Sequence, residues 1–131
     1  MNKLQIKPTE SELEILQILW TRGSSTVREV NMLLSKYKNV GYTTTLKIMQ
    51  IMTDKGLVIR DKESRTHIYS ATVNREETQN MLLNRFLDNT FSGSASTLIM
   101  QALGNHKASP EELKEIKELI DKLENSNGDN N

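Results

Sequence analysis

The chain has 131 residues, equal numbers of basic and acidic side chains and no cysteine, a size that suits one compact domain or a small domain with a helical appendage. Without cysteine there are no disulfides, thiolate zinc sites or cysteine nucleophiles, and a reducing, cytoplasmic compartment is expected. No apolar run approaches the roughly 18 residues of a membrane span, and Met1 to Lys7 lacks the apolar core of a signal peptide, so no membrane insertion is expected.

Thr9-Glu10-Ser11-Glu12 is a capping box: the threonine oxygen accepts an orphan amide while Glu12 reaches back to the cap. A first helix over Glu10 to Thr21 follows, with Leu13, Leu16, Ile18, Leu19 and Trp20 at helical spacing and Gly23 as its stop. Thr26-Val27-Arg28-Glu29 repeats the box and opens a second helix of about ten residues, striped by Val27, Val30, Leu33 and Leu34. After a polar break from Tyr37 to Gly41, a third helix runs from Thr43 to Lys55, ended by Gly56.

Leu57 to Arg60 and Thr66 to Ser70 are β-branched, partly alternating runs around the charged segment Asp61 to Arg65, which reads as a hairpin. Three short helices and then a hairpin are the elements of a winged helix-turn-helix, and the order carries that conclusion rather than any one element. The fold class is therefore mainly α, with a winged helix over residues 1–73.

Asn74 caps a fourth helix bearing Met81, Leu82, Leu83, Phe86 and Leu87, and Ser92 to Ser96 interrupts it. A short fifth helix is expected over Thr97 to Leu103. Ser109-Pro110-Glu111-Glu112 starts a sixth with a further capping box. Its stripe of Leu113, Ile116, Leu119, Ile120 and Leu123 is too wide to leave in water on a lone short helix. Residues 74–124 form the expected helical module, and residues 125–131 a disordered polar tail.

The neutral total conceals a split. Residues 1–73 hold seven Lys and four Arg against seven acids, +4, whereas residues 74–131 hold six basic against ten acidic, −4. The positive field lies on the half where a phosphate backbone would need it. On the third helix, turning Thr45, Ile48, Met49 and Met52 inward leaves Thr43, Lys47, Gln50 and Asp54 outward, with Thr44, Leu46 and Ile51 on the flanks. Threonine and glutamine can hydrogen-bond base edges or meet a thymine methyl, and Lys47 can reach a guanine or a phosphate.

Candidate DNA contacts are thus Thr43, Thr44, Lys47 and Gln50 in the major groove, with Ser25 and Thr26 at the second helix and Lys62 and Arg65 in the wing on the backbone. An Arg65 that only pairs with Glu63 is the competing reading. His67 belongs to the wing, since His106 is distant and no carboxylate cluster has metal-ligand spacing, so neither metal nor cofactor is expected. No phosphate loop, His-Glu-x-x-His or nucleophile elbow is present, and an enzyme is not expected. A winged helix used as a protein-docking scaffold is the alternative function.

Pro8-Thr9-Glu10 with Glu14 and Trp20, Thr26 to Val30, Tyr42-Thr43-Thr44, Lys55-Gly56-Leu57 and the Arg65-x-x-x-Tyr69 pattern together resemble the penicillinase-repressor family of bacterial regulators, the BlaI/MecI/CopY group. The likeness runs from Pro8 to about Leu123. It implies a homodimer that represses by binding a palindromic double-stranded DNA operator, with Phe86, Leu98, Leu103, Leu113, Ile116, Ile120 and Leu123 at the dimer contact.

Many relatives carry threonine at the position of Lys47 and arginine at that of Ile51, so the family's usual operator is not transferred. In β-lactam-responsive members a membrane sensor metallopeptidase system leads to a cut at an Asn-Phe bond. The aligned bond here is Gln101-Ala102, which lacks that signature, and cleavage elsewhere in Ser92 to Leu103 stays open. The cysteine-rich tail of copper-responsive members is absent.

Overall fold

Local capping chemistry sets the helix starts, and long-range packing adds elements that local chemistry does not announce. The structure, a computed structural model, describes residues 6–63 and 65–129. In chain order the elements are α1 (Glu10–Arg22), β1 (Ser25–Thr26), α2 (Val27–Leu34), α3 (Tyr42–Lys55), β2 (Val58–Asp61), β3 (Ile68–Ala71), α4 (Arg75–Phe91), α5 (Ala95–Asn105) and α6 (Pro110–Asp129). The first six are a winged helix, as the order of sequence signals required. Among the described residues no helix is long and apolar enough to cross a membrane.

Two compact units divide the chain, the first ending at Arg85 and the second starting at Phe86. In the first, both capping boxes are closed. Thr9 N donates to Glu12 Oε1 at 2.9 Å and Glu12 N to Thr9 Oγ1 at 3.2 Å. Thr26 N donates to Glu29 Oε1 at 2.9 Å and Glu29 N to Thr26 Oγ1 at 3.1 Å. Ile15, Leu16 and Leu19 of α1, Val27, Val30 and Leu34 of α2, Met49 and Met52 of α3, and Leu57, Val58 and Tyr69 of the hairpin form one buried core. Each such side chain contributes about 1.5–3 kcal/mol by leaving water.

The sheet has three strands in the order β1-β3-β2, all antiparallel. β1 is an addition to the sequence reading: Ser25 pairs with Tyr69 and Thr26 with Ile68. Two residues carry no alternation, so only their distant partner defines them as a strand. The hairpin strands also sit slightly later than the β-branched runs suggest. Gly56 ends α3 in the left-handed region at φ 81°, and Leu57 N then donates to Met52 O at 2.9 Å, so Leu57 completes the helix cap instead of starting β2.

The domain boundary expected after residue 73 lies further on. Trp20 Nε1 donates to Val73 O at 2.9 Å, the Arg75 guanidinium stands 5.8 Å from the centre of the Trp20 ring, and Arg75 Nη2 donates to Thr21 Oγ1 at 2.8 Å. Thr78 is buried, and Met81 lines a small hollow with Ile6, Pro8, Leu57 and Val73. These contacts fasten the first turns of α4 to the winged helix, which is why the unit runs to Arg85.

In the second unit α5 begins two residues before the expected Thr97, because Ser94 Oγ accepts from Thr97 N at 3.2 Å and caps it. Ser109 and Glu112 close the reciprocal box of α6, with bonds of 3.1 Å each way. The disordered tail expected over residues 125–131 is corrected for its first five residues, which continue α6 to Asp129. Extending an existing helix fixes one residue per new bond and avoids the nucleation cost, and no proline interrupts this stretch. Asn130 and Asn131 lie outside the described residues.

Candidate nucleic-acid interface

α3 is held from its inner side and from both ends. At its start, Asn31 Nδ2 of α2 donates to Val40 O and to Thr45 Oγ1, each at 3.0 Å, which fixes the turn between the helices. At its end, Lys55 Nζ donates to Glu12 Oε2 at 2.9 Å and Oε1 at 3.1 Å. Glu12 is only 3% exposed. Burial pushes its carboxyl upward, yet the Lys55 ammonium and the Thr9 amide outweigh that and hold it below the usual carboxylate range. Thr45, Met49 and Met52 are buried beneath, and Ile48 and Leu46 pack partly against the core.

Thr43, Thr44, Lys47 and Gln50 are all exposed on the opposite side, together with Asp54 and the flanking Ile51. α3 begins at Tyr42 rather than Thr43, with Gly41 as its cap residue. Two concave surfaces border this helix. Gln50, Thr53 and Asp54 face Ile59, Arg60, Lys62 and Tyr69 across a groove between α3 and the wing, which brings the expected contacts Gln50 and Lys62 to one place. A second cleft is lined by Thr26, Val27 and Arg28 of the β1–α2 junction, Tyr42 of α3, and Arg65, Thr66 and His67 of the wing. It joins the expected contacts Thr26 and Arg65.

Ser25 is a correction. Its side chain is completely buried, with Oγ donating to Gly23 O at 2.9 Å, because pairing with Tyr69 turns it into the sheet, where it cannot reach a ligand. Thr26 is committed to the α2 cap, its hydroxyl bonding Glu29. The Thr26 amide, and then Arg22, hold the Glu29 carboxyl below its ordinary range. Sequence reasoning passed over Arg28 and Tyr42. The signal was present: a capping box at Thr26 places Arg28 on the first, outward turn of α2, and Tyr42 directly precedes the threonines of α3.

In the second unit Phe86, Leu103, Leu113, Ile120 and Leu123 are exposed, Leu123 by as much as 55%, while Leu98 and Ile116 are half-buried. Phe86 and Phe91 meet edge to face with ring centres 5.5 Å apart. Gln101 and Ala102 are exposed residues inside α5.

A family model described as penicillinase repressor matches residues 8–122. The chain belongs to the penicillinase repressor family. It is 23% identical over 117 residues to the penicillinase repressor of Bacillus licheniformis, covering 89% of this chain and 91% of that one. It is 20% identical over 123 residues to the penicillinase repressor of Staphylococcus aureus, covering 94% and 98%. The transcriptional regulator BlaI of Mycobacterium tuberculosis is 33% identical over 67 residues, 50% of this chain and 49% of that one. A solution structure of the DNA binding domain of the repressor BlaI superposes with a TM-score of 0.49 at 25% identity, covering 58% of this chain and 90% of that one. The penicillinase repressor family is one of DNA-binding transcriptional repressors rather than enzymes.

Proposed function

We propose that the protein is a cytoplasmic, homodimeric repressor that reads a palindromic double-stranded DNA operator by laying α3 in the major groove. The observation that carries this reading is the division of labour on α3: Asn31 and Glu12 grip it from the core side, and Thr43, Thr44, Lys47 and Gln50 are left exposed together. A rigid helix with small polar donors suits base edges and thymine methyls. Lys62 and Arg65 of the wing, with Thr26 beside them, rest on the phosphate backbone.

Dimerisation through Phe86, Leu98, Leu103, Leu113, Ile116, Ile120 and Leu123 supplies the second half-site. Leaving such side chains in water forgoes about 1.5–3 kcal/mol apiece, and a partner's matching surface recovers it. The pairing also compensates for a weakly charged reader, since two linked domains gain by effective concentration. By family likeness, a membrane sensor metallopeptidase system relieves repression through a cut within Ser92 to Leu103, where the aligned bond, Gln101-Ala102, lacks the Asn-Phe signature. Both residues of that bond lie within α5, so that helix must open before a protease meets extended backbone there.

A mobility shift on the DNA upstream of the protein's own coding region tests the reading. Lys47→Ala is expected to weaken binding and, with one Lys47 on a phosphate in each subunit of the dimer, to lower the slope of affinity against salt by about two; unchanged affinity and slope would remove α3 from the interface. Sedimentation of the Ile116→Asp, Ile120→Asp double variant is expected to give a monomer, and a persisting dimer would refute the proposed contact. No salt-dependent binding to any duplex would leave the protein-docking alternative.

A further inference from the structure

We propose that the cleft walled by Arg28, Tyr42, Arg65 and His67 seats one phosphodiester of the DNA backbone, and that His67 makes this contact proton-linked. The proposal rests on the DNA-binding reading above and assigns a regulated backbone contact within it.

The cleft, about 320 Å³, collects basic side chains from separate parts of the chain: Arg28 from α2, and Arg65 and His67 from the wing, with Tyr42 opening α3 between them. The Arg28 guanidinium is steadied 5.9 Å from the centre of the Tyr42 ring, an arrangement that orients a cation while leaving its N–H fork available. None of the ion pairs among the described residues uses Arg28 or Arg65.

Among the described residues no carboxylate lines the cleft. Glu29, the neighbouring acid on α2, is taken by Arg22 and the Thr26 amide. Asp61, opposite Ile68 on the adjoining strand, accepts from Glu63 N at 2.9 Å at the hairpin tip. A concave surface with two guanidiniums, an imidazole, a phenol and no acid is chemically an anion seat. Its position beside the exposed threonines of α3 makes a backbone phosphate the anion that meets it when α3 enters the groove.

Histidine is the side chain that changes charge between about pH 5 and 8. A phosphate beside it favours the charged form, so binding takes up a proton. Affinity is then highest on the acidic side and falls as pH rises through the titration of the complex. Binding about three- to tenfold tighter at pH 6 than at pH 8 is expected.

The test is fluorescence anisotropy of the full chain with a labelled mixed-sequence DNA duplex at low salt, where sequence-independent phosphate contacts dominate. Wild type is expected to bind more tightly at the lower pH, His67→Gln to lose that dependence, and His106→Gln to keep it. Arg65→Ala is expected to weaken binding at both pH values and to shrink the pH effect. Salt-sensitive binding that does not change with pH, or a pH effect that survives His67→Gln, overturns the proposal and leaves the DNA-binding reading standing. Absence of duplex binding at either pH overturns that reading and the proposal with it.

Discussion

Replacing Lys55 with methionine keeps most of the side-chain volume and removes the ammonium that, among the described residues, meets Glu12. The buried carboxylate would retain the Thr9 amide at 2.9 Å but lose bonds of 2.9 and 3.1 Å to the lysine. Breaking a fully buried pair costs about 3–5 kcal/mol. The Lys55 side chain is 37% exposed, so screening reduces this, and a loss of about 2 kcal/mol is expected. For a unit of this size that lowers the melting temperature by about 10 °C at neutral pH, measured by circular dichroism.

Its pH dependence is a sharper check. The Glu12 carboxyl is held below its ordinary range in the folded protein, so its stabilisation is present above the unfolded carboxylate value and is lost as pH falls through the folded one. In Lys55→Met burial acts without the lysine to offset it. The gap between wild type and variant should be widest at neutral pH and close below about pH 4. Melting within about 2 °C of wild type at pH 7, or a gap that has not narrowed by about pH 3, would refute the anchoring role.

Asn31→Ala removes the donor to Val40 O and Thr45 Oγ1; a loss of about 1–3 kcal/mol is expected in urea unfolding, and none would show that the turn holds without it. Gly56→Ala meets no atom within 4 Å but must adopt φ 81°, so about 1–2 kcal/mol of destabilisation is expected from backbone strain alone. Ser25→Ala should reduce stability by about 1 kcal/mol through its lost bond to Gly23 O while leaving DNA affinity unchanged in anisotropy. A selective loss of affinity would restore Ser25 to the interface.

Much of the winged helix was legible because its signals are local. Thr9 with Glu12, Thr26 with Glu29 and Ser109 with Glu112 declare helix starts within four residues of chain, and the spacing of Thr45, Met49 and Met52 declares which side of α3 is inward. What stayed hidden depends on distant partners. Ser25 looks like a turn hydroxyl until Tyr69, far along the chain, pairs with it. Residue 73 looks like an end until Trp20 bonds to Val73 O. The last turns of α6 look disordered because asparagine, serine and glycine are poor helix formers, and composition does not register that a helix already under way precedes them. For the site, outward residues of α3 followed from periodicity, whereas the cleft around Arg28 required three elements to be placed in space.

The fastening of α3 from behind has an evolutionary consequence. Because Asn31, Glu12 and the buried methionines secure the helix without help from Thr43, Thr44, Lys47 or Gln50, exchanges at those four positions should alter stability by no more than about 0.5 kcal/mol. If α3 reads DNA as proposed above, the residues that do the reading can be exchanged at little cost in stability while the scaffold stays as it is, so the fold does not tie such a protein to one target sequence.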